Sequence, residues 1–234
     1  ALGASYPDGA RVGNCAYSHM TVFSFHPVKA IAAGEGGMIT TNDEKLYRRL
    51  LRLRSHGINK ANDPFENPGS AFENGESNRW YYEMQELGFN YRITDIQSAL
   101  ALSQLGKLDR FLSRRRELAA RYDAAFDGLK NLSVAQRAGG SFSAHHLYAI
   151  RINFPEIGMS RTRFMSALME NGIGSQVHYI PVYMHPYYQK RGYDAGRFPV
   201  AQRYYREALS IPLFYALTDE QQSFVTGRIQ ELAR

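Results

Sequence analysis

Cysteine is almost absent from this chain: Cys15 is the only one in 234 residues. That excludes a disulfide framework and a cysteine-based zinc site, and it fits a reducing, cytoplasmic setting. Long apolar runs are missing as well, so no segment reads as a membrane span. Internal repeats and low-complexity tracts are lacking, which excludes solenoids and linker arrays. No metal-ligand cluster stands out, and no nucleic-acid recognition motif accompanies the basic charge.

What is present is the composition of a globular protein. The chain is 44% hydrophobic and 21% charged, enough for one sizeable core or two smaller ones. Its formal net charge is +6. Basic residues are scattered apart from a dense patch at Arg110 to Arg121, a balance compatible with an anionic small molecule or partner. The first residue is alanine, so the chain reads as one entered in its middle; removal of an initiator methionine would leave the same residue.

The most informative stretch is Thr21-Val-Phe-Ser-Phe-His-Pro-Val-Lys29, followed by Gly34-Glu-Gly-Gly37. An apolar segment ends in a polar turn. A lone lysine follows, then a glycine-rich turn, then the alternating segment Met38 to Thr41. A lysine presented by such a turn becomes a nucleophile when it is desolvated, and an amine held that way can form a Schiff base with an aldehyde such as pyridoxal phosphate. A solvated surface lysine is the alternative. Phosphate binding by the glycines is a further alternative, although the run has the spacing of neither a P-loop nor a dinucleotide fingerprint.

Residues 1 to 41 read as short strands and turns, with Tyr6-Pro7-Asp8-Gly9 a turn signal. Asn42 or Asp43 caps a helix through Leu46, Leu50 and Leu53 that ends near His56-Gly57. Residues 58 to 86 are a polar connection, functional or mobile at that length. Thr94-Asp-Ile-Gln97 is a capping box. Gly106 marks a break, and a second helix runs from Leu108 to Phe126. It carries Leu112, Leu118, Tyr122 and Phe126 on one side and Arg114-Arg115-Arg116 on the other, read as a solvated face. Beyond residue 129 the pattern is α+β. Strands are predicted over 146–153 and 174–180. One helix is capped by Ser160, another runs from Pro199 to about Leu209, and Thr218-Asp-Glu-Gln221 opens the last.

Four constellations occur together: the Ser24/Lys29/Gly34–Gly37 run, Arg54-Ser-His-Gly57, Gly88-Phe-Asn-Tyr-Arg92, and Val177-His178-Tyr-Ile-Pro181. Together they resemble the DegT/DnrJ/StrS family of nucleotide-sugar aminotransferases over essentially the whole chain. The wording around Lys29 is most similar to the UDP-4-amino-4,6-dideoxy-N-acetyl-β-L-altrosamine transaminases of pseudaminic acid biosynthesis.

The resemblance implies an α/β fold, the C-terminal portion of a fold-type I pyridoxal-phosphate transferase. Residues 1–106 would end the large domain, and 107–234 would form the small C-terminal domain with its long connecting helix. The implied reaction moves an amino group, from glutamate, to C4 of a UDP-linked 4-keto-6-deoxy sugar. Lys29 matches the Schiff-base lysine, which also moves the proton. Ser24 matches a serine on the cofactor phosphate, and Asn90 an asparagine that reaches that phosphate from the neighbouring subunit of a homodimer. Arg92 and His178 are the implied substrate-binding residues.

Each residue also has a plainer reading. Ser24 and Asn90 could be turn residues, and His178 a satisfied strand histidine. Glu35 could pair with a nearby cation or order the glycine turn. In the family an upstream half supplies an aromatic that stacks on the cofactor and an aspartate for its pyridine nitrogen. These 234 residues alone are therefore expected to bind cofactor weakly and to be inactive. The alternatives are the same chemistry on another nucleotide keto-sugar, or a truncated, non-catalytic homologue that binds a partner or a sugar nucleotide.

Overall fold

The computed structural model describes residues 1–60, 63–135 and 143–234. They form two compact units, Ala1–Leu108 and Asp109–Arg234. No helix among the described residues is long and apolar enough to cross a membrane.

In the first unit, β1 (Thr21–Ser24) and β2 (Gly37–Thr40) pair antiparallel, with Val22 opposite Ile39 and Ser24 opposite Gly37. Strand alternation buries Phe23 at 6% exposure and leaves Val22 outside at 69%. The helix α1 (Glu44–Leu53) starts where the Asp43 carboxylate accepts from the N–H groups of Lys45 and Leu46, at 2.8 and 3.1 Å. It stops where His56 and Gly57 take left-handed conformations, φ +64° and +72°.

The polar connection that follows is folded rather than loose. Residues 61 and 62 of it lie outside the described residues. β3 (Ile58–Asn59) pairs with β6 (Glu83–Met84). Between them come α2 (Pro68–Ala71), β4 (Phe72–Glu73) and β5 (Glu76–Ser77), the last two joined by Asn74-Gly75. Both turn residues have positive φ, +52° and +84°, as a two-residue hairpin turn demands. Glu83 anchors the excursion. Its carboxylate accepts from the backbone N–H groups of Glu66 and Asn67 at 2.8 and 2.7 Å, and from the Tyr81 hydroxyl at 3.0 Å.

α3 (Asp95–Leu105) opens with the reciprocal Thr94/Gln97 bonds of a capping box. Apolar residues recur along it, yet none is buried; Ile96 is 85% exposed.

α4 (Leu108–Phe126) leads into the second unit, a three-stranded antiparallel sheet ordered β7 (Leu132–Val134), β8 (Tyr148–Ile152), β9 (Ala208–Ile211). Tyr148, Ile150 and Ile152 alternate inward on β8. They join Leu118, Tyr122 and Phe126 of α4, Phe164 and Leu168 of α5 (Arg161–Glu170), and Val225 and Ile229 of α8 (Asp219–Leu232) in one apolar core. Each such side chain contributes ~1.5–3 kcal/mol relative to exposure. α6 (Pro186–Gln189) and α7 (Pro199–Glu207) lie between α5 and β9 in the chain.

Three sequence expectations need correction. Residues 174–180 form no strand; Gln176 alone bridges to Ser210. The helix from Pro199 ends at Glu207, because Leu209 pairs with Ile150 as part of β9. The arginine cluster is not a solvated face. Arg115 is 7% exposed and donates to the carbonyls of His145, His146 and Leu213. Arg114 donates to the Leu217 carbonyl and the Asp219 carboxylate, and Arg116 to the Ser143 carbonyl. The cluster ties distant loops to α4.

Candidate functional site

Lys29 sits in the connection between β1 and β2, half-buried. Two bonds extend the hairpin beyond Ser24: Phe25 N–H to the Gly36 carbonyl and Ala33 N–H to the Phe25 carbonyl, both 2.9 Å. Lys29 N–H closes a turn on the His26 carbonyl at 2.9 Å. Phe25, Ile31 and Ala33 are buried, so the turn carrying Lys29 has an apolar footing. The amino group of Ala1 lies within Coulomb range of Lys29. Burial first, and then the Lys29 charge, hold that amino group below its ordinary pKa.

Ser24 is exposed, and its Oγ accepts weakly from His26 N–H at 3.4 Å. Glu35 faces His26, Oε1 to Nε2 at 4.0 Å, and both side chains are open to solvent. A Cβ on Gly37 would lie 2.6 Å from the Phe23 carbonyl oxygen. Only glycine allows the strands to close at that rung. A Cβ on Gly36 would lie 2.9 Å from Ile93 Cδ1, and the Gln97 side chain donates to the Glu35 carbonyl at 3.0 Å. The glycine turn beside Lys29 is thus fastened to the start of α3.

The second and third constellations are laid against one another. His56 N–H donates to the Phe89 carbonyl at 2.8 Å, Phe89 N–H to the Leu53 carbonyl at 2.6 Å, and Tyr91 N–H to the Arg54 carbonyl at 2.9 Å. Ser55 and Asn90 face each other as an isolated bridge. Asn90 and Arg92 are both exposed. Arg92 lines a pocket of about 450 Å³ together with Arg54, His56 and Lys60. Sequence reasoning gave Arg54 and His56 no role and passed over Lys60. The available signal was the clustering of cations just after α1.

His178 belongs to the second unit. Its Nδ1 and the Ser210 hydroxyl are 2.8 Å apart, and its ring meets Tyr179 edge-on at 4.5 Å. Nearby residues Tyr179, Pro181, Phe198, Tyr204 and Tyr205 line an open apolar pocket of about 720 Å³.

Comparison with known proteins places this geometry. Residues 1–230 match the DegT/DnrJ/EryC1/StrS aminotransferase family. The chain belongs to that family. Among curated DegT/DnrJ/EryC1/StrS relatives, it is 38% identical to the spore coat polysaccharide biosynthesis protein SpsC of Bacillus subtilis, over 92% of this chain and 54% of that protein. It is 36% identical to a UDP-4-amino-4,6-dideoxy-N-acetyl-β-L-altrosamine transaminase of Campylobacter jejuni, over 96% and 54% respectively. Among solved structures, Helicobacter pylori PseC, an aminotransferase of pseudaminic acid biosynthesis, superposes with a TM-score of 0.85 at 30% identity, over 100% of this chain and 57% of that one.

The fold is therefore α/β, a portion of a fold-type I pyridoxal-phosphate transferase. The chain spans about half the length of the curated DegT/DnrJ/EryC1/StrS relatives it matches. Aminotransferases of the family depend on pyridoxal 5'-phosphate. The donor set on the Lys29 hairpin suits that group: a half-buried primary amine, and an exposed serine hydroxyl five residues before it.

Proposed function

We propose that this chain forms part of a pyridoxal-phosphate-dependent transaminase. The reaction moves an amino group from glutamate to C4 of a UDP-linked 4-keto-6-deoxy sugar. The observation that carries the reading is the half-buried Lys29, held on a closed hairpin turn whose glycines are fastened to the start of α3. Residues 1–106 end the large cofactor-binding domain and 107–234 form the small one. The setting is the cytoplasm.

Lys29 would hold the cofactor through Nζ, and the same amine would serve as the proton carrier of the reaction, with the apolar footing of the turn limiting the access of water to it. The bound cofactor supplies an electron sink. Ser24 would donate a hydrogen bond from its hydroxyl to the cofactor phosphate, and Asn90 would serve the phosphate of the second subunit in a homodimer. The open apolar residues Ile96 and Leu102 of α3 are consistent with a face that needs covering. Arg92 and His178 bind the nucleotide sugar.

A second reading keeps the chemistry and changes the sugar. It is favoured by the 38% identity to SpsC, a spore coat polysaccharide biosynthesis protein. The decisive test is borohydride reduction of the intact protein with cofactor, followed by peptide mapping. A cofactor mass on the peptide containing Lys29 is expected; its absence sinks the proposal. Turnover by the intact protein on UDP-, dTDP- and GDP-linked 4-keto sugars decides the substrate.

A further inference from the structure

Gln97 makes two sets of hydrogen bonds, and the capping of α3 accounts for only one. Its amide oxygen accepts from Thr94 N–H at 3.2 Å and from the Thr94 hydroxyl at 3.0 Å. Those bonds need an acceptor alone. Glutamate serves the same position of a capping box, and a carboxylate there also gains from the helix dipole. The amide nitrogen is left over from the cap. It donates to the Glu35 carbonyl at 3.0 Å, across 62 residues of chain.

Glu35 lies in a stretch of the Lys29 turn that its own residues restrain weakly. Gly34 and Gly36 flank it at φ +80° and +136°, where the backbone has the wide freedom of glycine. The Glu35 side chain does little to order it, since it meets His26 only at 4.0 Å and both groups are open to solvent. The bond from Gln97 to the carbonyl is the firmer restraint. Ile93 supports it from the same side: a Cβ on Gly36 would lie 2.9 Å from Ile93 Cδ1.

Ile93 directly follows the Gly88-Phe-Asn-Tyr-Arg92 segment. The rungs at Phe89 and Tyr91 bind that segment to the turn after α1. Gln97 therefore stands at the joint between the turn that carries Lys29 and the segment that carries Asn90 and Arg92. A shift of the Glu35 carbonyl moves the Lys29 turn relative to those two side chains. Misplacement by about 1 Å can cost on the order of a hundredfold in rate.

We propose that Gln97 is a positioning residue for Lys29. Its amide nitrogen holds the glycine turn in place, and its amide oxygen separately caps α3. What Lys29 does in that position rests on the transaminase reading; the restraint itself rests on the Glu35 bond.

The test separates the two ends of the amide in the intact protein. Gln97→Glu keeps the acceptor and deletes the donor. Thr94→Ala removes the hydroxyl from the cap and keeps the donor. Without cofactor, hydrogen exchange of the peptide spanning residues 25–36 should quicken about three- to tenfold in Gln97→Glu, the worth of one hydrogen bond, while the thermal midpoint stays near wild type. Thr94→Ala should lower the midpoint and leave that peptide's exchange unchanged. With cofactor and a UDP-linked 4-keto-6-deoxy sugar, Gln97→Glu should lower kcat about tenfold or more at unchanged KM. Wild-type exchange of the turn peptide in Gln97→Glu overturns the proposal. So does a loosening or a fall in midpoint that Thr94→Ala matches, which would make the cap the whole role of Gln97, and so does a wild-type kcat in a variant whose turn has loosened. Trapping at Lys29 is read separately. Its failure in the wild type removes the transaminase reading, while the exchange result still decides the restraint.

Discussion

Gly57 and Gly88 are in direct backbone contact. A Cβ on Gly88 would lie 2.0 Å from the Gly57 nitrogen, and one on Gly57 would lie 1.7 Å from the Glu86 carbonyl oxygen. Neither obstacle is a flexible side chain. The two glycines let the turn after α1 lie flat against the segment leading to α3. The three rungs that position Asn90 and Arg92 depend on that approach.

Gly88→Ala is therefore expected to push the two segments apart and to destabilise the chain by about 1–3 kcal/mol, the usual cost of overpacking. Urea denaturation of the wild type and the variant measures it. An unchanged midpoint would show that the ladder tolerates an extra methyl and does not depend on this contact.

Arg115 offers a second test. Burial lowers its pKa, yet arginine stays charged in proteins, and here its guanidinium serves three carbonyls. Arg115→Gln shortens the donor and strands those carbonyls. The expected loss is about 1.5–3 kcal/mol, typical of hydrogen bonds to a charged group. A chemical denaturation midpoint that does not fall would show that stability does not depend on these three bonds from Arg115.

The third prediction concerns acid. Burial pushes the Glu207 carboxyl up, but bonds from Arg151 and Arg203 outweigh it, so its pKa lies below the ordinary value. Hydrogen bonds from Arg114 and Arg121 hold Asp219 down likewise. Both groups bind protons more readily when unfolded. Their contribution is complete above the unfolded carboxylate range, about pH 3.9–4.3, and is lost as pH falls through the lower folded values. The thermal midpoint should drop below about pH 4 in the wild type and drop less steeply in Glu207→Gln and Asp219→Asn. Parallel pH curves for all three proteins would remove these two carboxylates from the account.

What the sequence announced was local. Asp43, Thr94, Ser160 and Thr218 each cap a helix where their spacing predicts one, because a cap needs only its own next three residues. The turn that presents Lys29 was legible for the same reason: proline and glycine punctuate it. β9 was not. Ala208 to Ile211 follow α7 with no intervening turn residue and become a strand only by pairing with β8, more than fifty residues earlier. The burial of Arg115 depends on carbonyls 30, 31 and 98 positions away. The Asn74-Gly75 pair was a readable hairpin signal inside a segment whose polarity suggested a loose loop. The pairing of Arg54-Ser-His-Gly57 with Gly88-Phe-Asn-Tyr-Arg92 likewise joins segments more than thirty residues apart.

The Glu83 carboxylate has a consequence for how this protein can vary. It fixes the base of the excursion at Glu66, Asn67 and Tyr81, while the hairpin tip at Asn74-Gly75 stands clear of it. Neither Gly75 nor the neighbouring Gly69 would bring a new Cβ within 4 Å of anything. Apart from the positive φ that the turn requires at Asn74 and Gly75, length and chemistry at that tip are therefore separable from the folding of its base. Over evolutionary time it is a place where residues can be gained or lost while the arginine pocket and the Lys29 turn keep their shape.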